Sequence, residues 1–257
     1  MSKKLSINVK TAIAFILFCA VFISVVGIMV SHGRRSEENL QKTPPKTETS
    51  PYENMPTVII DAGHGGEDGG AVGVDGIFEK DINLAIALEL EEMLRATGIK
   101  TRLTRDTDTL LYDRNSDYQG HKKAQDAAAR LAIAEEYENA VFISIHMNSF
   151  PQAKYKGLQV YYSPNSPSSA LLAKKIQDTV ITNLQPDNTR QIKQSDKNIY
   201  LLDKIRHPAI LIECGFLSNP EECALLGTNE YRHRLCAVLH SAIVNYFDGL
   251  VTVWRTL

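Results

Sequence analysis

Three uninterrupted apolar runs, mostly β-branched, constrain this chain most: Val58-Ile59-Ile60, Val141-Phe142-Ile143 with Ile145, and Ile210-Leu211-Ile212. A strand with one wet face alternates apolar and polar residues, whereas a strand without alternation must be covered on both sides. An α/β fold follows, with a mostly parallel twisted sheet covered by helices and forming a single domain. Strands are expected near 57–61, 99–104, 140–146, 157–162 and 209–214, and helices near 81–97, 121–136, 167–184 and 229–247. The last helix carries the stripe Tyr231, Leu235, Leu239, Ala242, Ile243 and Tyr246, the signature of a buried face.

Each run leads into a residue that can do chemistry. His64 follows the first, His146 ends the second, Glu213 ends the third, and Glu79 stands beside a glycine-rich turn. In open α/β sheets, sites lie beyond the carboxyl ends of strands, where these side chains would converge. Two imidazoles and a carboxylate are nitrogen and oxygen donors suited to a Zn²⁺ that keeps an open position, and a second carboxylate could move protons. The chain has no Cys-x-x-Cys pair and no His-Glu-x-x-His motif, so any metal ligands must come from separate elements. Glu79 alone has another use, as a carboxylate at the start of a helix bearing Ile82, Ile86, Leu90 and Leu94. Glu213 is harder to explain so simply, because a carboxylate within an apolar strand costs several kcal/mol unless paired, metal-bound or protonated.

The stretch from Gly63 to Gly70 invites comparison with a nucleotide-binding loop. It fails, because Asp68 occupies the third glycine position of the dinucleotide fingerprint and no Gly-Lys-Ser/Thr is present. Glu67 and Asp68 would also repel phosphate, so the glycines are expected to let the backbone approach a metal or substrate closely. Asn148 is a candidate for hydrogen bonding to substrate or for a turn. His32, His121, His207, His233 and His240 receive no chemical role.

Taken in order, VIIDAGHGGEDGG, IFEKDINLAIA, TRLTRDTD, FISIHMNS, GLQVYY and ILIECGFLSNPEE resemble the zinc-dependent N-acetylmuramoyl-L-alanine amidases. The resemblance implies that His64, Glu79 and His146 hold Zn²⁺ and that Glu213 is the catalytic carboxylate. It implies a peptidoglycan substrate, cleaved at the amide between the lactyl group of N-acetylmuramic acid and L-alanine. Glu213 would take a proton from water and deliver it to the departing nitrogen. The stretch from His121 to Asp126 and the lack of an appended wall-binding module resemble the subtype that modifies spore-cortex peptidoglycan, stripping stem peptides so that muramic δ-lactam can form. Whether an activator protein is needed stays open. Two rival readings use the same residues: a zinc exopeptidase or carboxypeptidase, and an inactive, membrane-tethered peptidoglycan-binding protein.

Four segments are expected: a signal or membrane anchor over 1–35, a Pro-rich linker over 36–56, the catalytic domain over 57–248 and a tail over 249–257. The uncharged run Thr11 to Val30 is long enough to cross a hydrocarbon layer of ~30 Å and is preceded by Lys3, Lys4 and Lys10. Its poor cleavage signal and its length favour a retained anchor. Arg34 and Arg35 leave its orientation nearly balanced, so an extracytoplasmic location rests on the substrate that the resemblance implies. Beyond residue 35 acids outnumber bases, which argues against nucleic acid as a partner. Cys19 does not fit a lipoprotein cleavage site, and Cys214, Cys223 and Cys236 are expected to be small buried hydrophobes, not disulfides.

Overall fold

The computed structural model describes residues 22–24, 26–29, 50–113, 115 and 120–256. The chain divides into two units, Met1–Thr49 and Ser50–Leu257. Within the first, residues 22–24 and 26–29 are helical and exposed. Most of the expected anchor, with Cys19 and His32, and the linker up to residue 49 lie outside the described residues.

Residues 50–56, expected to be linker, belong instead to the second unit. Tyr52 is buried and its hydroxyl donates to Asp248 Oδ1 at 2.7 Å; Ser50 Oγ donates to Gly98 O at 3.1 Å, and Lys100 Nζ to Glu53 O at 2.6 Å. One aromatic ring among the prolines supplies the apolar surface that a free linker lacks.

The elements in chain order are β1 (Thr57–Ala62), α1 (Glu79–Ala96), β2 (Thr101–Leu103), α2 (Lys122–Glu135), β3 (Ala140–Asn148), β4 (Gln159–Tyr162), α3 (Pro167–Asn183), β5 (Lys193–Gln194), α4 (Tyr200–Lys204), β6 (Ala209–Phe216), α5 (Pro220–Leu226) and α6 (Asn229–Thr256). The described residues form one six-stranded sheet in the order β2-β1-β3-β6-β4-β5. The three apolar runs become β1, β3 and β6, which are mutually parallel at the centre of the sheet. Only β4 runs antiparallel to its neighbour β6, and β5 then pairs parallel to β4.

Alternate side chains on the central strands feed two apolar layers, as the pleat requires. Val58, Ile60, Val141, Ile143, Ile210 and Ile212 pack with α1, α3 and α6, while Ile59, Phe142 and Leu211 pack with Ala134 of α2 and Leu202 of α4. Each such side chain contributes about 1.5–3 kcal/mol by leaving water. Cys214, Cys223 and Cys236 are free and buried, as expected.

The expected tail continues α6 through Gly249, and Leu250 and Val251 pack against the core. Asn229–Thr252 is long and apolar enough to cross a membrane among the described residues. Its Leu235, Leu239, Ala242, Ile243 and Phe247 are completely buried in the core, which accounts for that apolarity.

Candidate metal centre and active site

The loop leaving β1 is shaped by what must pass close to it. Gly63 lies under the His146 ring: a Cβ there would come within 2.8 Å of His146 Cδ2, and closer still to Cε1 and Nε2. Gly70 has φ 67°, and a Cβ there would sit 2.5 Å from Glu79 Oε2 and 2.8 Å from His64 Cδ2. His64 itself has φ 61°, a left-handed conformation that costs a side-chain-bearing residue about 1–2 kcal/mol.

Two buried guanidiniums offset that cost by capping three successive carbonyls. Arg130 donates to Ala62 O and His64 O, each at 2.7 Å, and Arg105 donates to Ala62 O at 2.9 Å and Gly63 O at 3.0 Å. Arg130 is neutralised by Asp61 at 2.5 Å and Asp126 at 2.7 Å. Burial would push the Asp61 carboxyl up, but Arg130 beside it and the bond from Ser144 hold it below the usual carboxylate range.

This scaffold brings His64, Glu79 and His146 together, with their donor atoms all within 4.8 Å of one another. His64 Nε2 is 3.2 Å from Glu79 Oε2, and His146 Nδ1 is 2.9 Å from Glu79 Oε1. The backbone N–H groups of Ala71 and Met147 donate to the two Glu79 oxygens at 2.8 and 3.0 Å, fixing the carboxylate from behind. On the far side of the His64 ring, Nδ1 lies 2.8 Å from Asp68 Oδ2. An ionised carboxylate can only accept, so Nδ1 donates to Asp68, and Nε2, which faces Glu79, either donates to it as part of an imidazolium or would offer its lone pair to a metal bound between them. Burial works against a charged His64, but Glu79 and Asp68 outweigh it and raise its pKa. The two histidines in turn hold Glu79 well below the usual carboxylate range despite its burial. Two imidazole nitrogens and a carboxylate aimed at one point can be reconciled by shared protons or by one divalent cation, and this donor set fits zinc.

Glu213 stands next to the cluster because β3 and β6 pair His146 directly with Glu213, just before the register shifts between His146 and Asn148. Irregularities of this kind at a strand end re-aim side chains at functional sites. Glu213 Oε2 is enclosed and has no hydrogen-bond partner. Burial pushes the Glu213 carboxyl up to about 7, with His146 pulling against it and Glu79 adding to it.

All four residues singled out in the sequence therefore meet at one end of the sheet. Asn148 ends β3, where its carbonyl accepts from the Leu217 N–H at 2.8 Å. His233 pairs with Glu89, and neither it nor His121, His207 or His240 belongs to the cluster. Asp68, Arg105 and Arg130 were not assigned roles from the sequence, although Asp68 lies four residues after His64 and Arg105 lies within TRLTRDTD.

Residues 58–245 match the family model described as N-acetylmuramoyl-L-alanine amidase. The chain belongs to this family. The amidase is 36% identical over 190 residues to the germination-specific N-acetylmuramoyl-L-alanine amidase of Bacillus subtilis (strain 168), a match covering 74% of this chain and 79% of the relative. Among solved structures it is similar to the CwlD amidase from Clostridioides difficile in complex with the GerS lipoprotein. That match has a TM-score of 0.71 and 38% identity, and covers 75% of this chain and 98% of the other. The amidase AmiC2 of Nostoc punctiforme matches with a TM-score of 0.64 and 31% identity, covering 75% and 97% of the two chains. The amidase thus acts on the N-acetylmuramoyl-L-alanine bond of peptidoglycan, and the exopeptidase and binding-only readings give way.

Proposed function

We propose that the amidase is zinc-dependent, held by His64, Glu79 and His146, and that Glu213 is its proton carrier. The observation that carries this reading is the enclosed, unpartnered Oε2 of Glu213 beside three converging donors. A bound zinc would supply a Lewis acid that polarises the scissile carbonyl and acidifies a water. Glu213 is enclosed beside the cluster with Oε2 free of any hydrogen-bond partner, so it can accept a proton from the attacking water and later donate one. The acceptor of that second transfer is the alanine nitrogen, a poor leaving group until protonated. Asp68, Arg105 and Arg130 hold His64 and its loop in place, so the donors do not need to reorganise.

Similarity to the germination-specific amidase of Bacillus subtilis supports a role in the spore cortex, where stripping stem peptides prepares muramic δ-lactam. The enzyme would work on the outer side of a membrane, held by its N-terminal segment. Because the similar CwlD amidase was solved with a lipoprotein, a protein partner that assists activity is part of this proposal.

The test is to strip metal from the purified protein with a chelator, add zinc back and identify muropeptide products by mass spectrometry. Zinc-restored release of an intact stem peptide with a free L-alanine amine is the expected result. Full activity without metal, or release of single terminal amino acids, would defeat the proposal.

A further inference from the structure

The sequence stretch His121-Lys122-Lys123 opens α2, and its charges are on the wrong end of a helix. The amino end of a helix carries partial positive charge and favours acids, yet the first turn of α2 holds two lysines and no acid. What compensates them lies in the loop after β1. Lys122 Nζ is 3.0 Å from Glu67 Oε1, and Lys123 Nζ is 2.8 Å from Asp68 Oδ1. Two adjacent lysines thus clasp two adjacent acids. The two clasps differ in consequence, because the other oxygen of Asp68 contacts His64 Nδ1 at 2.8 Å. The same helix holds the loop a second time, two turns further on, where Arg130 caps His64 O at 2.7 Å and is itself paired with Asp126.

We propose that Asp68 is a positioning residue for the metal centre and that Lys123, in the first turn of α2, sets its strength. Asp68 holds the His64 ring with Nδ1 protonated and Nε2 turned toward Glu79, and Lys123 holds Asp68 in the rotamer that does so. A carboxylate behind a ligating histidine fixes its tautomer and orientation, and losing such a partner typically weakens metal binding about 10–100-fold. Lys123 is largely exposed, so its pairing with Asp68 is worth much less, up to about five-fold. The inference rests on zinc being held by His64, Glu79 and His146.

The experiment measures zinc affinity of the full chain in detergent by competition with a coloured chelator, together with the visible spectrum of the cobalt-loaded protein. Asp68→Asn should bind zinc about 10–100-fold more weakly and shift the cobalt bands. Lys123→Met should lose about two- to five-fold, and Lys123→Arg should recover most of that loss. Glu67→Gln is the control: it breaks the neighbouring clasp without touching His64 and should stay within about two-fold of wild type. Wild-type affinity in Asp68→Asn, or an equal loss in Glu67→Gln, would reduce Asp68 to a loop tether and overturn the proposal. If Asp68→Asn does not fold, Lys123→Met decides, since undiminished affinity there removes the clasp from the metal centre. A wild-type chain that takes up no zinc would instead sink the metal reading itself.

Discussion

Replacing Gly63 by alanine tests how tightly the site is assembled, because the backbone permits the change and the neighbourhood does not. The φ of Gly63 is not positive, so alanine is not strained by conformation and would gain about 0.4–1 kcal/mol by restricting the unfolded chain. Against this, its Cβ would lie 2.8 Å from His146 Cδ2 and closer to two other ring atoms, where ordinary contact begins at 3.4 Å. The ring must retreat by about 1 Å, at an overpacking cost of about 1–3 kcal/mol. A net loss of about 1–2 kcal/mol is expected, readable as a lower urea midpoint with an unchanged slope. Activity should suffer far more, since a displacement of about 1 Å in a catalytic constellation costs about 10²-fold in kcat/KM. The decisive outcome is the split between the two. If Gly63→Ala keeps zinc and retains kcat/KM within about three-fold, His146 is not held where this packing argument puts it.

Glu213→Gln should retain zinc and lose about 10²–10⁴-fold in kcat, whereas His64→Ala should lose both; titrating zinc content alongside turnover distinguishes them. Glu213 also sets a pH dependence in the metal-free protein. Its folded pKa, about 7, exceeds the ordinary 4.5, so as pH rises from 4.5 the unfolded chain releases this proton first and stability falls until the folded group ionises too. Metal-free Glu213→Gln should therefore match wild type near pH 4 and exceed it by up to about 3 kcal/mol at pH 8; equal stability at both pH values in urea titrations would contradict the burial argument. Arg130→Met leaves buried Asp61 and Asp126 without their counter-charge and should cost about 3–5 kcal/mol, and a loss under about 1 kcal/mol would mean those acids relax into water.

The parts of this fold legible in the sequence are those for which composition alone decides. A run such as Val58-Ile59-Ile60 has to be buried on both faces, so the central strands and the residues at their ends could be read directly. Strand direction leaves no such trace: β4 reads the same whether it pairs parallel or antiparallel with β6, and β5 is too short to register. Gly249 looks like a helix end because glycine costs about 1 kcal/mol inside a helix, yet burial of Leu250 and Val251 carries α6 past it. At the site, His64, Glu79, His146 and Glu213 were legible because each stands where a strand or turn delivers it. Asp68 was not, since its contact with His64 depends on a left-handed turn at His64 itself. Arg105 and Arg130 were hidden for a related reason: the carbonyls they cap become a cluster only once the loop is folded.

The pairing of His146 with Glu213 across β3 and β6 also fixes an order of events. A chain made from its amino end acquires His64, Glu79 and His146 well before Glu213, and between β3 and β6 come β4, α3, β5 and α4. Until β6 slots in beside β3, the chain lacks Glu213, the carboxyl to which the proposed mechanism gives the proton transfers. On that mechanism a chain that ends before β6 could not cut, and the ability to cut would arrive only with the strand that completes the centre of the sheet.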